Sequence, residues 1–553
     1  MRGAGRLAGM TLIGLKGIVK SYGGRRILDG LDLDVNPGAR IGIVGPNGGG
    51  KSTLLRILSG LEEADAGTVA RRRDATTAWL PQHVEGEERT PLEVVLEARP
   101  DLRELESELA AVADRIGALA HDLGKMERAL ARQEQLLERW TAAGGPGFEG
   151  RCRAHLAALG FDDADLALPT TALSGGQRKL VGLARCLASD PSVLVLDEPE
   201  THLDAERRSL LEQLVREFDG AVVTVSHDRY LLDETVAVIA ELEQGRIRLW
   251  PGNYSAYVTQ RELELVRLQQ QWVTQKKEIA RMEEAIRRFE HWAHIVVDER
   301  HAKAARSMQK RLDKMDKIDR PVLERRKIAL RLHPHERGGQ RIVELRAVTK
   351  AFDGGEPVLD EVDLTILRGE RVGVVGPNGA GKTVLVKLLA EEHEPTAGER
   401  WAGPSIRVGY LPQSPEASFG GRPVIDVVRA NHRCTEGEAV TLLMRFLFDY
   451  EQVRRPTTTL SGGELTRLHL LLLMLGGANF LVLDEPTNHL DIDSVEMLES
   501  ALEEFDGTVI FTSHDRYFLD RIADRIVEVD GGVRDHEGGY SSWFEHRRAA
   551  ATL

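Results

Sequence analysis

The sequence predicts an α/β fold built twice: two phosphate-loop domains in tandem, a helical-hairpin insertion in the first, and a helical-hairpin linker between them. Three observations predict it. GPNGGGKS at Gly45–Ser52 returns as GPNGAGKT at Gly376–Thr383, 331 positions later. LSGGQ at Leu173–Gln177, LVLDEP at Leu194–Pro199 and SHDRY at Ser226–Tyr230 return as LSGGE, LVLDEP and SHDRY, each 287 positions later. The change of offset places about 44 extra residues in the first copy, between its Gly-rich loop and LSGGQ.

The first copy occupies residues 1–251. Its β-rich opening Leu12–Tyr22 matches Ile342–Phe352, and the strands IGIV and VGVV run straight into the Gly-rich loops. Strand, Gly-rich loop and helix in that order make a nucleotide-binding α/β core. The insertion covers about 99–141. Leu102, Leu105, Leu109, Val112, Ile116, Leu119 and Leu123 alternate three and four apart, which is a heptad seam. Gly124 is placed at the turn, and Met126, Leu130, Leu137 and Trp140 continue the stripe on the return helix. Residues 252–339 form the linker. Ile279, Met282, Ile286 and Phe289 make one stripe and Met308, Leu312 and Met315 another, with the tip near Trp292–Asp298. Pro321 ends or kinks the return helix. The second copy takes residues 340–553.

Totals narrow the function classes. The chain has 553 residues and a net charge of -14, so as a whole it repels nucleic acid and anionic membranes. Against that background, residues 300 to 331 carry 12 Lys/Arg and 4 Asp/Glu, a local basic surface suited to nucleic-acid phosphates. Three distant cysteines give no metal-ligand spacing and fit a reduced, cytoplasmic protein. The N-terminal apolar runs are broken by Gly and Lys, which argues against a signal peptide. The most apolar segment, Leu468–Leu483, contains His469, Gly476, Gly477 and Asn479 and reads as a buried helix followed by a strand. No membrane insertion is expected.

The repeated motifs carry phosphate chemistry. Gly45, Asn47, Gly48, Gly50, Lys51, Ser52 and Thr53, with Gly376, Asn378, Gly379, Gly381, Lys382 and Thr383, offer backbone N–H groups and a helix N-terminus to a polyphosphate. Lys51 and Lys382 are placed to reach the β- and γ-phosphates of ATP. Ser52 and Thr383, with Asp197 and Asp484 at the ends of apolar strands, are the candidate Mg²⁺ ligands. Glu198 and Glu485 follow, where a carboxylate can take a proton from an attacking water. His227 and His514 follow the next apolar strand and recur at the same offset of 287.

Phosphate loop, LSGGQ and LDEP together resemble the ATP-binding-cassette superfamily over nearly the whole of both copies. The resemblance implies two composite ATP sites between the cassettes, closed by ATP and released by hydrolysis. Lys51 and Glu198 would work with Ser461, Gly463 and Glu464. Lys382 and Glu485 would work with Ser174, Gly176 and Gln177. Gln82 and Gln413 match the glutamine near Mg²⁺ and the attacking water, Tyr22 and Phe352 the aromatic that stacks on adenine, and Asp204 and Asp491 the D-loop aspartate. Within the superfamily, EPTNHLD at Glu485–Asp491, SHDRY in both halves, PGNY at Pro251–Tyr254 and the charged linker resemble the ABC-F group of ribosome-associated ATPases.

That likeness implies a monomer with an intramolecular cassette dimer on the 70S ribosome. The linker would meet the P-site tRNA and rRNA through Arg300, Lys303, Arg306, Lys310 and Arg311, by phosphate contacts without sequence specificity. The insertion would be the arm that approaches the uL1 stalk. No DNA partner is expected. Such a protein regulates or rescues translation, or protects it from ribosome-targeting antibiotics; the alternative is the ATPase subunit of a membrane transporter. Four departures from the family pattern stand out: Glu200–Thr201 in the first D-loop, Glu464 in the second signature, Val384 after the second Lys-Thr, and Gly49 in the first loop. They predict unequal sites, with looser nucleotide binding beside Val384.

Overall fold

The computed structural model describes residues 11–118, 123–296, 299–315, 339–352, 355–413, 419–488 and 490–551. Each copy holds a three-stranded antiparallel sheet and a six-stranded, mainly parallel sheet, in the same strand order. In the first copy Ile13–Tyr22 lies between Arg25–Val35 and Ala66–Arg71. The larger sheet runs Thr77–Leu80, Val193–Asp197, Ala221–Val225, Arg40–Val44, Val238–Glu243, Arg246–Pro251, and its last pair is antiparallel. The second copy repeats this with Val408–Leu411, Phe480–Leu483, Thr508–Thr512, Arg371–Val375, Arg525–Val529 and Val533–Glu537.

The parallel strands are continuous apolar runs because both their faces are covered; every residue of Val193–Asp197 and Ala221–Val225 is buried. Their order also gathers the motifs. Val193–Asp197, Ala221–Val225 and Arg40–Val44 are neighbours, and their carboxyl ends lead into the acidic pair, His227 and the Gly-rich loop. Open parallel sheets bind ligands beyond those ends. The apolar segment Leu468–Leu483 divides between the helix Gly462–Leu475 and the strand Phe480–Leu483. No described helix is long and apolar enough to cross a membrane.

The insertion contains two helices, Pro100–Ala118 and Leu123–Ala142, packed through Leu105, Leu109, Val112, Ile116, Leu136 and Trp140. Leu102 belongs instead to the core of the first copy and roots the hairpin there. Two details correct the sequence reading. Gly124 lies within the return helix and does not make the turn; residues 119–122 lie outside the described residues. Leu130 and Leu137 face solvent, while Leu136 holds the seam. Successive helical residues point about 100° apart, so Leu136 and Leu137 cannot both face the partner helix.

The linker begins with a 43-residue helix, Tyr254–Val296, followed by Glu299–Asp313. Ile279, Met282 and Ile286 pack against Met308, Leu312 and Met315. The expected tip overlaps 297–298, and Pro321 with the basic run beyond 315 also lies outside the described residues. At its base, Tyr254, Tyr257 and Trp250 form an apolar cluster that Ile492 of the second copy joins. Tyr254 donates its hydroxyl to Glu496 at 3.2 Å, and Arg261 pairs with Asp493 at 3.2 Å. The long helix is therefore bonded to both copies.

Candidate functional site

A cleft of about 1460 Å³ between the copies is lined by both Gly-rich loops and both LSGG segments. Each Gly-rich loop touches the opposite copy. The Asn47 amide donates to Asp491 Oδ2 at 3.1 Å, and Asn378 Nδ2 donates to the His202 carbonyl at 3.3 Å. Asp204 and Asp491 also cap the helices Ala205–Glu217 and Ile492–Glu503.

The loops require glycine for steric reasons. Gly45 and Gly376 have φ of 151° and 149°, and a Cβ there would lie 2.3 Å and 2.1 Å from the carbonyl oxygens of Leu242 and Val529. Gly50 and Gly381, at φ 98° and 99°, open the helices Lys51–Ser59 and Lys382–Leu389. The first-turn amides of such helices suit a polyphosphate. Lys51 Nζ donates to the carbonyls of Gly45 (2.7 Å) and Pro46 (3.1 Å), and Lys382 Nζ to those of Gly376 (2.8 Å) and Pro377 (2.9 Å). Burial lowers both ammonium pKa values, against the pull of nearby carboxylates.

Asp197 and Asp484 are buried, and each keeps one carboxylate oxygen without a hydrogen bond. Thr383 Oγ1 donates to Asp484 at 3.2 Å, and Ser52 bonds Asp197 likewise. Burial pushes both carboxyls up. A hydroxyl beside a carboxylate with a spare oxygen fits Mg²⁺, which takes oxygen ligands and retains water.

The two glutamates differ. Gln82 Nε2 donates to Glu198 Oε2 at 2.9 Å, and His227 Nε2 lies 3.5 Å from Oε1. Burial would raise the Glu198 carboxyl, but His227, Lys51 and Gln82 outweigh it and hold it at about 2. Glu485 has His514 Nε2 at 3.4 Å, yet neither carboxylate oxygen has a hydrogen bond, and burial pushes it up to about 7. Both glutamates sit in the left-handed region, at φ 45° and 48°, a strain that clusters at functional sites. Gln413 lines the cleft but is exposed and does not bond Glu485.

Lys179, which the motif reading passed over, accounts for part of this difference. Its buried Nζ donates to the carbonyls of Pro81 (2.8 Å), Gln82 (2.8 Å) and Asp197 (3.0 Å), fixing the glutamine loop to the acidic strand. The equivalent residue is Thr466, whose hydroxyl turns back to Gly462 at 3.0 Å.

Tyr22 and Phe352 are partly exposed platforms, with Lys20 and Lys350 ammonium groups 5.7 Å and 5.0 Å from the ring centroids. Ser174 and Ser461 each close a capping box with the residue three further on, Gln177 and Glu464. Gly176 is fixed by space, since a Cβ there would meet the His202 carbonyl at 2.5 Å; Gly463 is buried at the matching place. Val384 lines the cleft and packs on the second core, whereas Thr53 is buried beside Ser52.

Sequence reasoning also missed the cassette contact made by the last two letters of SHDRY. Arg229 reaches across to Glu499 and Asp515, with its guanidinium over the Tyr517 ring at 5.2 Å. Arg516 pairs with Glu212 at 3.1 Å and stands over Tyr230 at 4.9 Å. The exact repeat of these letters was the available signal. On the linker, Lys303, Arg306, Lys310 and Arg311 are exposed; the Arg300 side chain lies outside the described residues.

Comparison with known proteins agrees over nearly the whole chain. The domain family described as ABC transporter matches residues 28–201 and 359–488, and an extension family of the same description matches 240–332. The chain is 33% identical to ABC transporter F family member 5 of Arabidopsis thaliana, over 97% of its own length and 78% of that protein. It is 32% identical to the energy-dependent translational throttle protein EttA of Escherichia coli K12, over 95% of itself and 93% of that protein. Its fold is similar to that of the RNase-L Inhibitor structure, with a TM-score of 0.63 at 20% identity, covering 97% of this chain and 93% of that one.

Proposed function

The chain belongs to the ABC-F family of ATP-binding-cassette ATPases, and from that premise we propose that ATP-driven closure of its cassettes fixes it on the 70S ribosome near the tRNA exit site. The cassettes hydrolyse ATP with Mg²⁺. Lys51 and Lys382 hold the β- and γ-phosphates, and Tyr22 and Phe352 stack on adenine. Ser52 and Asp197, or Thr383 and Asp484, with Gln82 and Gln413 nearby, would hold Mg²⁺, which would neutralise phosphate charge. Glu198 and Glu485 accept a proton from the attacking water, and His227 and His514 stand beside them near the γ-phosphate. Ser461 and Gly463 complete the Lys51 site, with Glu464 capping their helix. Ser174 and Gly176 complete the Lys382 site, with Gln177 in the same capping role.

The linker carries the ribosome reading. Its base is bonded to both cassettes through Tyr254 and Arg261, and its second helix displays Lys303, Arg306, Lys310 and Arg311 on a protein of net charge -14. Closing the cassettes therefore sets the hairpin, and the hairpin meets P-site tRNA and rRNA by phosphate contacts. The arm at 99–141 lies towards the uL1 stalk. In this reading the protein is a cytoplasmic monomer that regulates translation or shields it from antibiotics. The test is sedimentation of the Glu198→Gln, Glu485→Gln double variant with 70S ribosomes. Pelleting in ATP and not in ADP supports the proposal; partition to membranes in place of ribosomes refutes it. Replacing the four linker cations by alanine should weaken binding and flatten its salt dependence.

A further inference from the structure

We infer that Glu200 and Arg208 form a one-sided link between the two ATP sites, in which Arg208 of the first cassette is a positioning residue for the second site. Both residues break the internal repeat: 287 positions on stand Thr487 and Val495. Glu200 Oε1 accepts from Ser226 Oγ at 2.7 Å, from the His227 amide at 2.8 Å and from the Asp228 amide at 3.3 Å. Asp228 Oδ2 in turn accepts from Arg208 Nη1 at 3.0 Å. The same Nη1 donates across the interface to the carbonyl of His514 at 2.9 Å, while Nε is held by the Leu203 carbonyl at 3.0 Å. An unbroken chain of hydrogen bonds thus joins the His227 loop of one site to the His514 loop of the other.

Among the described residues the mirror half has no such chain. Thr487 Oγ1 meets Ser513 Oγ at 3.1 Å and reaches no further towards the first cassette. Val495 carries no donor and packs in the second core. Asp515, the counterpart of Asp228, is taken by Arg229 from across the interface at 3.2 Å. The first cassette has therefore exchanged a hydroxyl and an apolar residue for a buried carboxylate and a buried guanidinium. The planar guanidinium suits acceptors on two elements at once. Its effect falls on the second site, because the carbonyl it grips belongs to the residue whose ring lies 3.4 Å from Glu485.

This inference rests on Glu198 and Glu485 being the water-activating carboxylates. Glu198→Gln then leaves only the second site turning over, and Glu485→Gln only the first. Adding Arg208→Val to Glu198→Gln should lower kcat roughly fivefold or more with KM for ATP within about twofold, while adding it to Glu485→Gln should leave kcat within about twofold. Arg208→Lys should fall between. The pair Glu200→Thr with Arg208→Val copies the second half at both positions and should lose second-site kcat to the same extent, with first-site turnover in Glu485→Gln as the control for folding. An equal loss at both sites, or no loss at the second, overturns the link. ATP hydrolysis at the parent rate by the Glu198→Gln, Glu485→Gln double variant overturns the glutamate assignment, and this inference with it.

Discussion

Gln177 donates its Nε2 to Asp165 at 3.0 Å, and at the matching place in the second copy Glu464 accepts from Gln452: the same bond, with donor and acceptor exchanged. Both pairs anchor the start of a signature helix to an earlier short helical segment, Asp163–Ala167 or Gln452–Arg454. The Glu464 departure therefore keeps this contact. The carboxylate has moved from one side of the bond to the other.

The swap predicts a double-mutant cycle. Gln452→Asp alone sets a second carboxylate against Glu464 and should destabilise the second cassette by about 1–2 kcal/mol. Adding Glu464→Gln recreates the pairing of the first copy and should recover most of that loss. Urea unfolding midpoints of the four proteins check it, and a coupling near zero would be inconsistent with the bond.

Lys179 predicts a site-specific kinetic defect. Lys179→Thr, which installs the second copy's residue, removes the donor shared by the Pro81, Gln82 and Asp197 carbonyls. Gln82 should then lose its hold on Glu198, and first-site kcat, read in Glu485→Gln, should fall roughly 10- to 100-fold. Second-site turnover in Glu198→Gln should stay close to the parent.

Val384 predicts an affinity gap. Val384→Ser restores a hydroxyl at the mouth of the second site and should tighten ATP there by roughly tenfold, the worth of one hydrogen bond to a charged group. Titrating ATP into Lys51→Ala, with and without Val384→Ser, isolates that site. Equal affinities of Lys51→Ala and Lys382→Ala would remove the basis for the expected inequality.

The cassette contact predicts a stability cost. Arg229→Ala leaves the fully buried Glu499 with Arg521 alone, at 2.9 Å. The loss of one partner of a buried pair should cost about 3 kcal/mol, seen as a lower melting temperature. The same variant should show less ATP-dependent compaction in small-angle scattering.

What the sequence revealed, and what it hid, follows from the kind of constraint involved. The Gly-rich loops, acidic pairs and SHDRY segments were legible because backbone geometry and phosphate chemistry tolerate few residue types, and here each set appears twice. The hairpins were legible from their 3–4 spacing, although that spacing points to Leu137 where Leu136 does the packing. Cross-copy partners were not legible: Arg229 with Glu499 and Arg208 with His514 depend on how two sheets face each other, which no local pattern encodes. The different roles of Gln82 and Gln413 were hidden for the same reason, since Lys179 acts on the glutamine loop from a helix about a hundred residues away.

The measurement that bears most directly on the ribosome reading is a density map of the Glu198→Gln, Glu485→Gln variant on 70S ribosomes in ATP. The account predicts both cassettes closed over nucleotide, with the linker hairpin in the tRNA exit region and Lys303, Arg306, Lys310 and Arg311 against tRNA or rRNA backbone. A hairpin standing free in solvent, or a protein docked away from the tRNA sites, would contradict it.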